Sequence, residues 1–308
     1  MNYKKENDIL ERTLSIADES YEKAYQFLQD QYAESNEKYG PQVLYFLACL
    51  AGGLKRKDEA LNWLEEAIKI KRWWYRPEVL EDDDLELLKD DKEFIHLKSL
   101  SSARYKKAFL NSEPKLFSWE EKPRNNLFLA VHGNTQNAKI AKSEWTPLFR
   151  NNNDWQIKAV QSGEPDSYGT YRWSSDKYQH VSVALVMNQM RGEGYKKIVC
   201  GGFSSGCDML LRAVTFTPAT CDALLLQSPW IPCLKECEES LFKAIKKKNI
   251  EVQILCGNKD KDCLPLAMEL HSALQSRALN STFILQQNTF HQFPNEIFYT
   301  IDKLLEKE

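Results

Sequence analysis

Two glycines flank a serine in Gly202-Phe203-Ser204-Ser205-Gly206, the G-x-S-x-G spacing with which a strand turns sharply into a helix and leaves a serine at the tip. The flanks suit that geometry. Ile198-Val199-Cys200 is an apolar run that reads as a strand, and Met209-Leu210-Leu211-Arg212-Ala213-Val214 reads as a helix. A Cβ at Gly202 or Gly206 would meet the backbone opposite, so glycine is required where strand and helix crowd the turn. Ser204 would then present its hydroxyl as a nucleophile. The backbone N–H of Ser205, at the start of the helix, would face the same space and could hold a developing oxyanion. The five residues alone also suit an ordinary glycine-rich connection; the strand before and the helix after them select the catalytic reading.

A neutral serine attacks poorly without a base. The chain has five histidines. His96 falls in a helical stretch, His132 belongs to a His-Gly turn, and His180 and His271 sit in or beside helical patterns. His291 stands in a loop after the last expected strand and is the candidate base. An acid that orients the imidazole should come just after another strand. Asp260 and Asp262, in Gly257-Asn258-Lys259-Asp260-Lys261-Asp262, both qualify.

These residues need a frame that brings loops together. Apolar runs at 127–131, 156–160, 198–200, 223–226, 252–256 and 282–285 alternate with helical patterns at 181–189, 208–216, 235–247 and 265–276. That order predicts a mostly parallel sheet with helices on both faces and chemistry at the carboxyl ends of its strands. Serine, acid and histidine then occur in chain order, each just past a strand. Residues 115–119 read as an edge strand. The loop 161–176, with Tyr168, Tyr171 and Trp173, is expected to overhang the site, and Trp230 comes after another strand end. An aromatic wall for an apolar acyl or aryl group and simple packing explain these rings equally well.

Taken together, Leu129-Ala130-Val131-His132-Gly133 with Gln136-Asn137, the Ser204 motif, Gly257-Asn258-Lys259-Asp260 and His291-Gln292-Phe293-Pro294 resemble the α/β-hydrolase family over residues 127–305. The nearest branch is the bacterial esterases of phospholipase/carboxylesterase and dienelactone-hydrolase type. The resemblance implies a Ser204-His291-Asp260 triad, favouring Asp260 over Asp262 by its spacing from Gly257. It also implies a second oxyanion donor in the amide of Asn134, with Gly133 allowing close approach and His132 bracing the loop. Such esterases often carry Gln after the nucleophile and a further Gly, where this chain has Ser205 and Cys207. The implied reaction is hydrolysis of carboxylic esters, with thioesters next, through an acyl-enzyme and with no metal or cofactor. Gly133, Tyr171, Trp173 and Trp230 are the expected substrate contacts. An acyltransferase using the same triad and an inert scaffold acting through the helical segment are the rivals.

Residues 8 to about 98 are helical in pattern, and 1–110 form the first expected domain, with 111–308 as the catalytic one. Pro41 suits the first turn of a helix, and Gly52-Gly53 is expected to end it in a left-handed conformation. The second helix, at 57–68, places Ala60, Leu61, Leu64, Ala67 and Ile68 on one face. Ala48, Ala60, Ala67 and the Asp58-Glu59-Ala60-Leu61 opening resemble one tetratricopeptide repeat with flanking helices. A single repeat cannot bury its own apolar face. The segment is therefore expected to brace or partly roof the catalytic domain, in preference to serving as a peptide groove or homodimer arm.

With 41 Lys+Arg against 44 Asp+Glu, the net charge of −3 excludes the electrostatic footprint of a nucleic-acid binder. The N-terminus lacks an apolar targeting core and no run reaches membrane-spanning length, so a cytoplasmic protein is expected. Eight cysteines without a C-x-x-C pair read as free thiols and not as a zinc or disulfide framework.

Overall fold

The computed structural model describes residues 3–35, 39–120, 124–150, 152–174, 178–294 and 300–305; the end of the 161–176 loop lies outside them. The chain forms two units, Met1–Ser112 with Pro165–Thr170, and Glu113–Glu164 with Tyr171–Glu308.

The first unit is all-helical apart from its inserted segment. Its α-helices are α1 (Tyr3–Ala17), α2 (Tyr21–Ser35), α3 (Pro41–Gly53), α4 (Lys57–Glu65) and α5 (Lys92–Leu110). Pro41 opens α3, where its missing N–H costs nothing. The expected left-handed ending at Gly52-Gly53 is not found. Helix α3 runs through both glycines and the left-handed residue is Lys55, at φ 61°. Gly52 serves packing instead, since a Cβ there would lie 2.0 Å from the carbonyl oxygen of Asp84. Helix α4 continues into a π-helical turn at Glu66–Ile70 that carries Ala67 and Ile68 into the core beside Leu44, Leu47 and Leu64. Asp91 caps α5 by accepting from the N–H groups of Glu93 and Phe94.

Pro165–Thr170, counted from sequence with the catalytic domain, clusters with these helices. Tyr75 forms an isolated bridge with Ser167, and the Arg76 guanidinium lies 2.7 Å from the buried Asp166 carboxylate. Arg76 N–H also donates to the Asp166 carbonyl at 2.9 Å. Pairing this specific leaves no mark in hydrophobic periodicity.

The second unit contains a seven-stranded sheet in the order β1-β3-β2-β6-β7-β8-β9. Its strands are β1 (Lys115–Ser118), β2 (Asn126–Val131), β3 (Trp155–Gln161), β6 (Lys197–Phe203), β7 (Ala223–Gln227), β8 (Glu251–Gly257) and β9 (Ser281–Gln286). A separate hairpin joins β4 (Glu164–Ser167) to β5 (Thr170–Arg172). Edge strand β1 is antiparallel to β3, and the other pairings are parallel. Strand β2 is apolar and buried along most of its length, as a strand covered on both faces must be. Helices α7 (Gln179–Gly192), α8 (Ser205–Phe216), α9 (Cys233–Lys248) and α10 (Cys263–Ser276) contribute to one core with Leu127, Leu129 and Leu226. On the other face α6 (Ala138–Trp145) and α11 (Ile301–Leu305) contribute to a second core containing Phe128, Trp145 and Phe293. This is the α/β-hydrolase fold, preceded by a small all-helical domain. Six parallel strands thus point their carboxyl ends the same way, and Ser204, Asp260, His291 and the Gly133–Asn134 loop stand just past four of them.

Candidate active site

Strand β6 delivers Ser204 to the tip of the turn at φ 52° and ψ −123°, a strained conformation for a residue with a Cβ. The turn holds because its neighbours are glycines. A Cβ on Gly202 would lie 2.8 Å from the Cys207 nitrogen, and one on Gly206 2.5 Å from the carbonyl oxygens of Val131 and His132. The N–H of Ser204 donates to the Gln227 carbonyl at 3.0 Å, anchoring the turn to β7.

His291 Nε2 lies 2.9 Å from Ser204 Oγ, and His291 Nδ1 lies 2.8 Å from Asp260 Oδ2. The imidazole is 31% exposed and the carboxylate 1%, so the hydrogen-bonded pair runs from a half-open surface into the core. The loops carrying Asp260 and His291 are joined: Lys259 N–H donates to the Thr289 carbonyl at 3.0 Å, and a Cβ on Gly257 would strike that same oxygen. Burial pushes the Asp260 carboxyl up, but the His291 hydrogen bond and charge, the Cys263 N–H and Ser228 together bring it below the ordinary 3.8. It is a carboxylate at neutral pH, suited to hold the Nδ1–H tautomer and leave Nε2 free to accept a proton. Asp262 is exposed at the N-terminus of α10.

The loop after β2 approaches Ser204 closely, since a Cβ on Gly133 would lie 3.2 Å from Ser204 Cβ. Asn134 Oδ1 accepts from Ser205 Oγ at 2.9 Å and from Trp173 N–H at 2.8 Å. Ser205 opens α8, where the first backbone N–H groups have no intrahelical partner. Gly133 N–H donates to Gln136 Oε1 at 2.9 Å, and the Gln136 amide in turn donates to Glu144 at 3.1 Å. His132 is buried, and desolvation lowers its pKa to about 4 despite its contact with the Gly133 carbonyl. It is therefore neutral, with Nε2 accepting the Ser162 N–H at 3.1 Å and Nδ1 donating to Gly133 O at 2.6 Å.

The expected substrate contacts separate. Trp230 is 47% exposed and its N–H donates to the Ser204 carbonyl at 3.3 Å. Tyr171 is half-buried, with its N–H on the Gln136 carbonyl at 2.7 Å. Trp173 is turned inward. It is 4% exposed, stacks on His132 at 4.9 Å and donates its indole N–H to the His132 carbonyl at 2.7 Å. Tyr168 belongs to the helical unit, stacked on Trp73.

Sequence reasoning missed Cys263, whose buried thiol lies 3.5 Å from His291 Nδ1. Asp260, Cys263 and His291 place one donor atom each within 4.8 Å of one another, close enough for a thiophilic cation. Burial and the Asp260 charge push the Cys263 thiol well above its ordinary value, which disfavours the thiolate such an ion needs.

Residues 5–109 match a family model described as the N-terminal domain of A/B hydrolase-like proteins. No curated protein matches the chain. Among solved structures, the chain is similar to an uncharacterized protein from Bacillus cereus ATCC 10987 at 24% identity and a TM-score of 0.51, covering 94% of this chain and 93% of that one. It is also similar to esterase PE8, at 13% identity, TM-score 0.48 and 60% and 93% coverage. Acyl-protein thioesterase 2 of Zea mays aligns at 17% identity, TM-score 0.43 and 63% and 96% coverage. The Bacillus cereus protein shares the fold over nearly the whole chain. No described helix is long and apolar enough to cross a membrane.

Proposed function

We propose that this chain is a serine hydrolase that cleaves carboxylic esters or thioesters of small molecules through an acyl-enzyme. The observation that carries the reading is the unbroken pair of hydrogen bonds from Ser204 Oγ to His291 and from His291 to Asp260, with the serine held at φ 52°. His291 Nε2 takes the Ser204 proton as Oγ attacks the acyl carbonyl. Negative charge develops on the carbonyl oxygen, where the Asn134 and Ser205 N–H groups stabilise it. The imidazolium, stabilised by Asp260, then protonates the leaving alcohol or thiol. Water repeats the cycle on the acyl group and frees the serine.

Ester and thioester leaving groups depart readily, whereas an amine needs a more demanding protonation. Hydrolysis of p-nitrophenyl esters of increasing acyl length tests the reading. Activity that disappears in Ser204→Ala, with melting unchanged, is the expected result. A folded wild-type protein inert toward both esters and thioesters would shift the case to an inert scaffold acting through the helical unit.

A further inference from the structure

Two buried glutamines lie near the carboxyl end of the sheet, close in sequence or register to the proposed catalytic residues. Gln227 ends β7 and Gln286 ends β9, with β8 between them. The register pairs Gln227 with Leu255 and Gly257 with Gln286. Since residues two apart on a strand share a face, Gln227, Leu255, Gly257 and Gln286 all project to the same side. Strand β8 presents no side chain at Gly257, so the two glutamines can meet across it. They do so reciprocally: Gln227 Nε2 donates to Gln286 Oε1 at 2.8 Å, and Gln286 Nε2 donates to Gln227 Oε1 at 2.9 Å. Both are nearly fully buried, at 1% and 6% exposure.

Each end of this amide pair reaches the catalytic machinery. The Gln227 carbonyl accepts the Ser204 N–H at 3.0 Å and the Cys207 thiol at 3.6 Å, fixing the nucleophile turn. Gln227 Nε2 also faces the carbonyl of Gln292, the residue after the base, at 3.3 Å, and Ser228 Oγ at 3.2 Å. Gln286 ends the strand from which the base loop departs, and its carbonyl accepts the Asn258 N–H at 2.9 Å in the acid loop. An apolar pair could fill the same volume; a buried amide pair adds direction and loses it when half-satisfied.

We infer that Gln227 and Gln286 are positioning residues, a buried amide clasp that sets the distance between the Ser204 turn and the His291 loop. The inference rests on the acyl-transfer reading for its consequence in rate, but not for its consequence in geometry. Displacement of a reacting group by about 1 Å costs about 100-fold in rate. The clasp therefore governs how fast Ser204 reacts more than whether the unit folds.

The test compares wild-type protein with Gln286→Met and with the double variant Gln227→Met/Gln286→Met, which keeps side-chain length and leaves neither amide unpaired. Three readouts are taken: the rate of Ser204 phosphonylation by a fluorophosphonate, the far-downfield proton resonance of the His291–Asp260 hydrogen bond, and thermal melting. Phosphonylation slowed by about 10- to 100-fold in both variants, with the downfield resonance broadened or lost and the double variant melting near wild type, is expected. Should Gln286→Met fail to fold, the double variant carries the comparison. A folded double variant with wild-type rate and an unchanged resonance overturns the inference and leaves the pair as packing. An unlabelled wild type refutes the acyl-transfer reading separately. The resonance alone then decides the clasp, its retention in the double variant counting against it and its loss in favour.

Discussion

Replacing Asp260 by Asn tests the proposed relay at its most constrained point. Asp260 Oδ1 accepts the Cys263 N–H at 3.1 Å, and Oδ2 accepts from His291 Nδ1 at 2.8 Å. The amide of Asn must keep its oxygen toward Cys263, because turning its NH2 there would oppose two donors in a buried site. Its NH2 then faces His291 Nδ1 and donates to it. The imidazole is forced to carry its proton on Nε2, which points at Ser204 Oγ and can no longer accept. The shape is nearly unchanged, so the loss is one of tautomer and of charge on the imidazolium. A loss of about 10⁴-fold in kcat is the expected result of that inversion, equivalent to about 5 kcal/mol of barrier. The assay is p-nitrophenyl ester turnover with melting measured in parallel, and Asp262→Asn, altering an exposed residue, should stay within about twofold of wild type. Retention of a tenth or more of the activity by folded Asp260→Asn, or the large loss falling on Asp262→Asn, would rule out this tautomer inversion.

Two further perturbations address the rest of the molecule. Glu6 is buried in the helical unit, where desolvation raises its pKa from 4.5 to about 7 against the opposing hydrogen bond from the Gly40 N–H. A raised folded pKa contributes stability fully below the unfolded value and loses it as pH climbs through the folded one. Melting should therefore weaken between about pH 4.5 and 7 by an amount on the order of 3 kcal/mol, and Glu6→Gln should flatten that slope; an unchanged slope in the variant would assign the effect elsewhere. Trp173→Phe removes the hydrogen bond to the His132 carbonyl while keeping a ring against the imidazole. It should cost about 1–3 kcal/mol in stability with KM little altered, and a large rise in KM at unchanged stability would restore the ring as a substrate contact.

Much of the second unit is legible in the sequence because its strands are continuous apolar runs, and a parallel sheet gathers the loops at their carboxyl ends. Ser204, Asp260 and His291 each stand just past such a run, and the structure brings them within hydrogen-bond reach. The side to which Trp173 turns is a matter that composition cannot resolve. A loop aromatic can face outward to a substrate or inward to a backbone carbonyl, and its indole N–H binds the His132 carbonyl. Pro165–Thr170 clusters with the helical unit through contacts that include the Arg76–Asp166 pair, two residues far apart in sequence and ordinary in type. Similarly, Gln227 and Gln286 look like polar strand ends until the register sets them on one face. At α3, two glycines read as a helix stop because that is their commonest use. Here close approach by the Asp84 carbonyl requires Gly52, and the turn passes to Lys55.

The proposed chemistry depends above all on Ser204 being an activated nucleophile. Fluorophosphonate labelling of the folded protein, with the modified peptide located by mass spectrometry, probes that activation without knowledge of the substrate. A single adduct on Ser204 is expected, absent in Ser204→Ala and strongly slowed in His291→Ala. An unlabelled wild-type protein, or an adduct on another residue, would contradict the activation of Ser204.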